Sequence, residues 1–282
     1  MQLKITIQYK ISLKIILSIL TAFVLAGCQK VINVDLNDAA PLIVIEGLIT
    51  DSPGPYTVTL SKSGSYFNQP VLPPVSGAQV IISDNTGTID TLKEIKPGYY
   101  QTIKTKGIPG RTYTINVLSE SEEYSGTSTM FSHVRIDSLQ LLKSQQRFGF
   151  GNPNESSFEL HCFFKDPGEK NFYRIKVITN DSINNENFRL YDDQYTNGEV
   201  TDLRVARPKP GDKCTIELFS LDKLTYGYYR TLEDLIRTNP FFGSTPANPN
   251  TNLSNGALGY FGASAVSFRT VFITDSLINT AR

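Results

Sequence analysis

Leu42-Ile43-Val44-Ile45-Glu46-Gly47-Leu48 runs into Asp51-Ser52-Pro53-Gly54-Pro55, and this succession of a β-branched run and a cluster of turn formers decides the fold. Branched aliphatic side chains pack well on a pleated surface, while Gly, Pro and Asp supply the backbone angles at which a chain reverses. The same succession recurs downstream over 56–60, 79–82, 98–103 and 112–117. It is punctuated by Asp84-Asn85-Thr86-Gly87, Lys96-Pro97-Gly98 and Pro109-Gly110. Such spacing predicts an antiparallel β-sandwich of immunoglobulin-like or transthyretin-like type over residues 41–132.

A second series begins near Arg135. Strands are expected over 136–142, 158–164 and 172–178, with weaker runs at 188–191 and 214–219, and Asp166-Pro167-Gly168 should join the second and third as neighbours. Leu221, Leu224, Tyr228, Leu232, Leu235 and Ile236 instead recur at the spacing of a helical face, so a helix is expected over 221–238, stopped by Asn239-Pro240. The expectation is a second β-rich domain, 133–282, carrying one long helix. Phe241-Phe242-Gly243 opens a glycine- and aromatic-rich tail that leads to Leu258-Gly259-Tyr260-Phe261-Gly262. Long loops with aromatic residues are commonly functional, so Phe241, Phe242, Leu258, Tyr260 and Phe261 are the expected contacts with a partner.

Upstream of residue 41 the character changes. Three of the 27 basic residues, Lys4, Lys10 and Lys14, precede an apolar run over 15–24, which ends in Leu25-Ala26-Gly27-Cys28. A basic start, a short apolar core and small residues before a cysteine make a lipoprotein signal peptide, 1–27. Leu25, Ala26 and Gly27 form the peptidase recognition site, and Cys28 is the acylated residue that anchors the chain in a lipid bilayer. The apolar core is short of the roughly 20 residues that span a membrane. Residues 28–40 form a tether. Without the leader, 24 basic residues stand against 27 acidic ones, and no basic stripe suggests nucleic acid as a partner.

Chemistry-bearing residues are few. His133 and His161 are the two histidines, and neither has a second histidine at ligand spacing, which argues against a zinc centre or a serine triad. Cys162 and Cys214 lie in apolar alternating runs, either as two buried thiols or as a disulfide. Asp192, Asp193, Asn197 and Glu199 are a weak calcium candidate, in competition with a plain hairpin turn; Asp84, Asn85 and Asp90 read as hairpin residues. Tyr66, Phe67, Tyr99, Tyr100, Phe148 and Phe150 are candidates for exposed aromatics. No phosphate loop is present, no cofactor is implied, and no local cue selects a carboxylate pair for glycoside hydrolysis.

The lipobox, Val31-Ile32-Asn33-Val34-Asp35-Leu36, the 42–51 strand, Gly54-Pro55-Tyr56-Thr57-Val58-Thr59-Leu60-Ser61, Pro74-Val75-Ser76-Gly77-Ala78 and Asn255-Gly256-Ala257-Leu258-Gly259-Tyr260-Phe261-Gly262 together resemble the Bacteroidota lipoproteins catalogued as domain of unknown function 4249. The resemblance runs from Cys28 to the C-terminus. It implies an outer-membrane lipoprotein, without an established catalytic residue, working beside a TonB-dependent receptor. An acidic run after the cysteine often accompanies surface display in that phylum. Here Gln29 and Lys30 follow Cys28 and the first acid is Asp35, so the cell-surface face is the expected one but is less firmly indicated than the anchor itself. The function expected is non-enzymatic ligand binding or an accessory role at such a transporter. The alternatives are a surface hydrolase of glycans or peptides and a structural spacer.

Overall fold

In a computed structural model, residues 40–64, 72–143, 158–194, 196–237 and 248–280 are described. The signal peptide, Leu25, Ala26, Gly27, Cys28 and the tether through residue 39 lie outside them, as do Phe241, Phe242, Tyr66, Phe67, Phe148 and Phe150. Residues from Ala40 onward form one compact unit, and the chain is mainly β.

The first sandwich holds β1 (Ile43–Thr50), β2 (Thr57–Lys62), β3 (Gln79–Asp84), β4 (Ile89–Thr91), β5 (Lys93–Lys96), β6 (Tyr99–Gln101), β7 (Thr112–Ser119) and β8 (Glu122–Thr129). One layer has the order β4-β3-β7-β8, and the facing layer contains β1-β2-β6-β5. Alternation does the work: Ile43, Ile45 and Ile49 point inward from β1, while Glu46 stays exposed. They meet Val80, Ile82, Ile115 and Val117 from the other layer in one core. The second sandwich holds β9 (Ile136–Lys143), β10 (Phe158–Lys165), β11 (Phe172–Thr179), β12 (Ser182–Asp192), β13 (Val200–Ala206) and β14 (Lys213–Leu221). Here β13-β10-β9 faces β12-β11-β14, over a core of Leu160, Cys162, Phe164, Tyr173, Ile175, Val177, Ile216 and Leu218.

One strand serves both. β15 (Leu258–Phe272) is 15 residues long, or about 50 Å at strand rise. Its first half, Leu258 to Ser264, pairs parallel with Val44 to Thr50 of β1. Its second half, Ala265 to Phe272, pairs antiparallel with β14. Strands from both sides of the expected boundary at 132/133 therefore share one eight-stranded sheet. The first core also takes Leu253, Ala257, Phe261, Ala263 and Ala265 from the far end of the sequence. Side chains complete the edge of β15 that β14 leaves uncovered. Asn252 acts as a short neighbouring strand, its Oδ1 accepting the Phe261 N–H (3.0 Å) and its Nδ2 donating to the Phe261 carbonyl (2.6 Å). Ser128 Oγ accepts the Ala263 N–H at 2.8 Å.

Helix α1 (Lys223–Arg237) covers this junction, and α2 (Asp275–Thr280) follows β15. Asp222 caps α1, accepting the N–H groups of Leu224 and Thr225 on Oδ1, both at 2.8 Å, and the Thr225 hydroxyl on Oδ2 at 2.9 Å. The same Oδ2 takes the Ser128 hydroxyl, tying α1 to the first sandwich. The helix starts at Lys223 and not at the expected 221, and its packed face differs: Thr225, Tyr228 and Tyr229 are buried, whereas Leu224 and Ile236 are exposed. Tyr228 and Tyr229 pack against Tyr260, with ring centroids 4.6 and 5.1 Å away. The cap sets the helix's rotation, and the tyrosines fill the space that the leucine spacing alone would assign to Leu224.

Three further details depart from the sequence reading. The Asp166-Pro167-Gly168 turn carries the chain from one sheet to the other, since β10 pairs with β9 and β13 while β11 pairs with β12 and β14. The 180–187 segment, expected as a polar connection, starts with a tight turn at Asn180 and Asp181 and then enters β12. Strand β8 follows a matching turn at Glu120 and Ser121. Both turns use consecutive positive-φ residues without glycine, which removes the signal by which hairpins are usually read.

Candidate functional site

Between the β1–β2 and β6–β7 loops, a cavity of about 630 Å³ is lined by Asp51, Tyr56, Thr102, Ile103, Lys104 and Lys106 among others. The two loops hold each other. Tyr56 and Thr102 exchange backbone contacts, with Tyr56 N–H on Thr102 Oγ1 at 2.9 Å and Thr102 N–H on the Tyr56 carbonyl at 3.0 Å. The Tyr56 hydroxyl donates to the Ser52 carbonyl (2.7 Å) and accepts from Gly107 N–H (3.1 Å). Beneath them Asp90, buried in β4, receives Ile103, Lys104 and Thr105 N–H on one oxygen at 2.7 to 2.9 Å, with the Thr105 hydroxyl. Asp90 is thus a brace for the β6–β7 loop and not merely a hairpin residue.

Asp84 keeps the expected turn role, accepting from Thr86, Thr88 and Arg111. Burial works to raise the pKa values of both aspartates, but their hydrogen bonds outweigh it and hold both below the ordinary carboxylate value. A depressed native pKa makes its stabilisation complete above about pH 4, the unfolded value, and loses it as pH falls through the native value. Stability should therefore drop on acidification below about pH 4, and Asp84→Asn should flatten that drop in urea titrations at stepped pH. An unchanged pH slope would remove Asp84 from the account.

Chemical catalysis finds little to build on among the described residues. The cavity wall has one carboxylate, Asp51, whose Oδ1 accepts the Val266 N–H at 2.8 Å, so it does not offer the pair that glycoside hydrolysis requires. His133 Nε2 does lie 3.2 Å from Ser267 Oγ. That hydroxyl, however, donates to the Val134 carbonyl, which leaves His133 no proton to take from it. His161 Nδ1 pairs with Asp202 Oδ1 at 2.7 Å on the surface of β10 and β13.

Two of the four calcium candidates make contacts within the protein. Asp193 is buried and accepts Asn171 N–H at 2.7 Å, Asp192 accepts Gln194 N–H and the Tyr226 hydroxyl, and Asn197 and Glu199 are exposed. No group of three metal-ligating side chains forms among the described residues. Cys162 and Cys214 are both free and buried. Burial raises both thiols, Cys162 to about 12, so neither is a nucleophile at neutral pH. A thiol-reactive dye should label neither until denaturant is added; labelling of the native chain would contradict this packing.

The tail residues also need correction. Phe261 is fully buried in the first core, Tyr260 is packed under α1, where its hydroxyl receives that of Tyr229 at 2.6 Å, and Leu258 begins the pairing with β1. Phe261 thus belongs to the core, while Leu258 and Tyr260 are half-buried in β15. Tyr100, a candidate exposed aromatic, is likewise buried, its hydroxyl donating to the Val75 carbonyl at 3.0 Å. Tyr99 is exposed, with Lys96 Nζ 3.8 Å from its ring centre. The most exposed aromatics that sequence reasoning missed are Phe268 and Phe272, at 72% and 60% exposure. Their spacing of four within a strand was the available signal: it puts both on one face.

This arrangement defines a mainly β protein of two sandwiches joined by a shared strand. The chain belongs to the Domain of unknown function (DUF4249) family, which matches residues 29–270. No curated protein matches it. Among solved structures, the adhesin InvE of Yersinia pseudotuberculosis is similar at 18% identity, over 63% of this chain and 55% of that one, with a TM-score of 0.21. That overlap is too slight to carry a fold or functional argument. No enzymatic family is indicated, and no helix among the described residues is long and apolar enough to cross a membrane.

Proposed function

We propose that the protein is an outer-membrane lipoprotein, anchored through acylated Cys28, that acts without catalysis as a ligand-binding or accessory subunit of a TonB-dependent transporter. The observation that carries the binding part of this reading is the second half of β15. The Val266 N–H turns away from β14 to reach Asp51, so alternate N–H groups beyond it, at Phe268, Thr270 and Phe272, share that outward edge. No described strand pairs along it. Phe268 and Phe272 stand exposed on the adjoining face. An open strand edge beside exposed aromatics suits strand addition by a partner, with main-chain hydrogen bonds giving affinity and side-chain pockets giving selectivity.

The address rests on Leu25 to Cys28. β15 runs parallel to β1 and so leads away from Ala40, which favours its far end as the surface offered to a receptor. The test is purification of the tagged full chain from solubilised outer membranes. A TonB-dependent receptor should co-purify, and Phe268→Glu with Phe272→Glu should reduce its recovery at least tenfold. Recovery of no transporter, or of unrelated proteins alone, would overturn the reading. In the same cells, Cys28→Ala should move the protein out of the membrane fraction.

A further inference from the structure

At the side of the second sandwich four arginines gather around too few acids. Arg189 sits on the edge strand β12, opposite Ile175 of β11. It reaches across to the other sheet, where its Nη1 donates to the Arg204 carbonyl at 3.0 Å. The Arg204 and Arg207 guanidinium groups converge on a single oxygen of Glu159, at 2.7 and 3.1 Å. Arg237, in the last turn of α1, pairs with Glu233 at 2.6 Å. Among the described residues, no carboxylate forms an ion pair with Arg189. Asp202 pairs with His161 at 2.7 Å.

The free protein thus keeps like charges close together. Partial burial of its guanidinium, followed by the charges of Arg204, Arg237 and Arg207, lowers the Arg189 pKa, and Glu233 opposes this only in part. A concentration of guanidinium groups with one unpaired at its centre suits a doubly charged tetrahedral oxyanion, whose oxygens accept paired N–H donors from several arginines at once. A carboxylate has fewer oxygens to share among them.

We propose that Arg189, flanked by Arg204, Arg207 and Arg237, is a binding site for a doubly charged phosphate or sulfate, carried either free or, for phosphate, as the monoester of a lipid headgroup. The site is independent of the membrane address and of the β15 edge. It lies where strands of both sheets and the end of α1 meet, so an anion bound there would also fasten three elements together.

The test is thermal unfolding of the full acylated chain in detergent at constant ionic strength, titrated with inorganic phosphate, inorganic sulfate or glycerol 3-phosphate against chloride. Either oxyanion should raise the midpoint by about 5 °C when a hundredfold above its Kd, and chloride should not. A preference of tenfold or more for glycerol 3-phosphate identifies a lipid headgroup; equal affinity identifies the bare anion. Arg189→Gln should abolish the shift while leaving the ligand-free midpoint equal or higher, because it relieves repulsion. If that variant does not fold, Arg237→Gln, on the exposed end of α1, should lower the affinity at least threefold. No shift beyond that of chloride, or an unchanged shift in the variants, would overturn the assignment.

Discussion

Gly259→Ala should cost at least about 3 kcal/mol of the unfolding free energy, a large part of the 5 to 15 typical of folded domains. Gly259 has φ +90°, in the region that side chains rarely enter. A Cβ there would also stand 2.2 Å from the Ile45 carbonyl oxygen and 2.9 Å from its carbon. These are backbone atoms of β1, so no rotamer change gives way. The strand would have to retreat, and with it the whole parallel pairing from Val44–Leu258 to Thr50–Ser264. Urea unfolding measures the effect as a lower midpoint at unchanged slope. A midpoint equal to wild type would show that β15 does not pass this close to β1.

The second large effect is expected at Asp222. Alanine there removes the α1 cap, worth about 1 kcal/mol. It also strips partners from the buried Ser128 and Thr225 hydroxyls, each orphaned group costing about 1 to 3 kcal/mol. The total should approach 3 to 4 kcal/mol, read as a fall in Tm of roughly 2 to 4 °C per kcal/mol. Asp222→Asn keeps an acceptor for the helix N–H groups and should cost less than half as much. Because Ser128 and Asp222 share one hydrogen bond, Ser128→Ala and Asp222→Ala should combine to less than their sum. Strict additivity would mean that the cap and the link to the first sandwich act separately.

Much of the fold was legible because most strands obey period-two alternation, as in Ile43, Ile45 and Ile49, and are bounded by Pro and Gly. Illegible parts have identifiable causes. The turns at Glu120–Ser121 and Asn180–Asp181 carry left-handed angles without a glycine to mark them, so β8 and the start of β12 read as polar loop. The helix was located by its leucines, yet its buried face follows Tyr228, Tyr229 and the Asp222 cap. Gly259 and Phe261 are unusual because two strands come very close there, and a close approach leaves the same composition as an exposed contact loop. Arg189, Arg204, Arg207 and Arg237 are scattered in sequence, and only the meeting of β12, β13 and α1 brings them together.

The shared strand also sets a timetable. In the first sandwich β1 must wait for Leu258 to Ser264, and Phe261 cannot enter the first core until every strand from β2 to β14 has been delivered. A polypeptide released amino end first therefore spends most of its emergence without a finished domain. It stays pliable enough to be threaded through a narrow passage, at the cost of late, long-range closure. Both sandwiches would then close together, drawn shut by the strand they share.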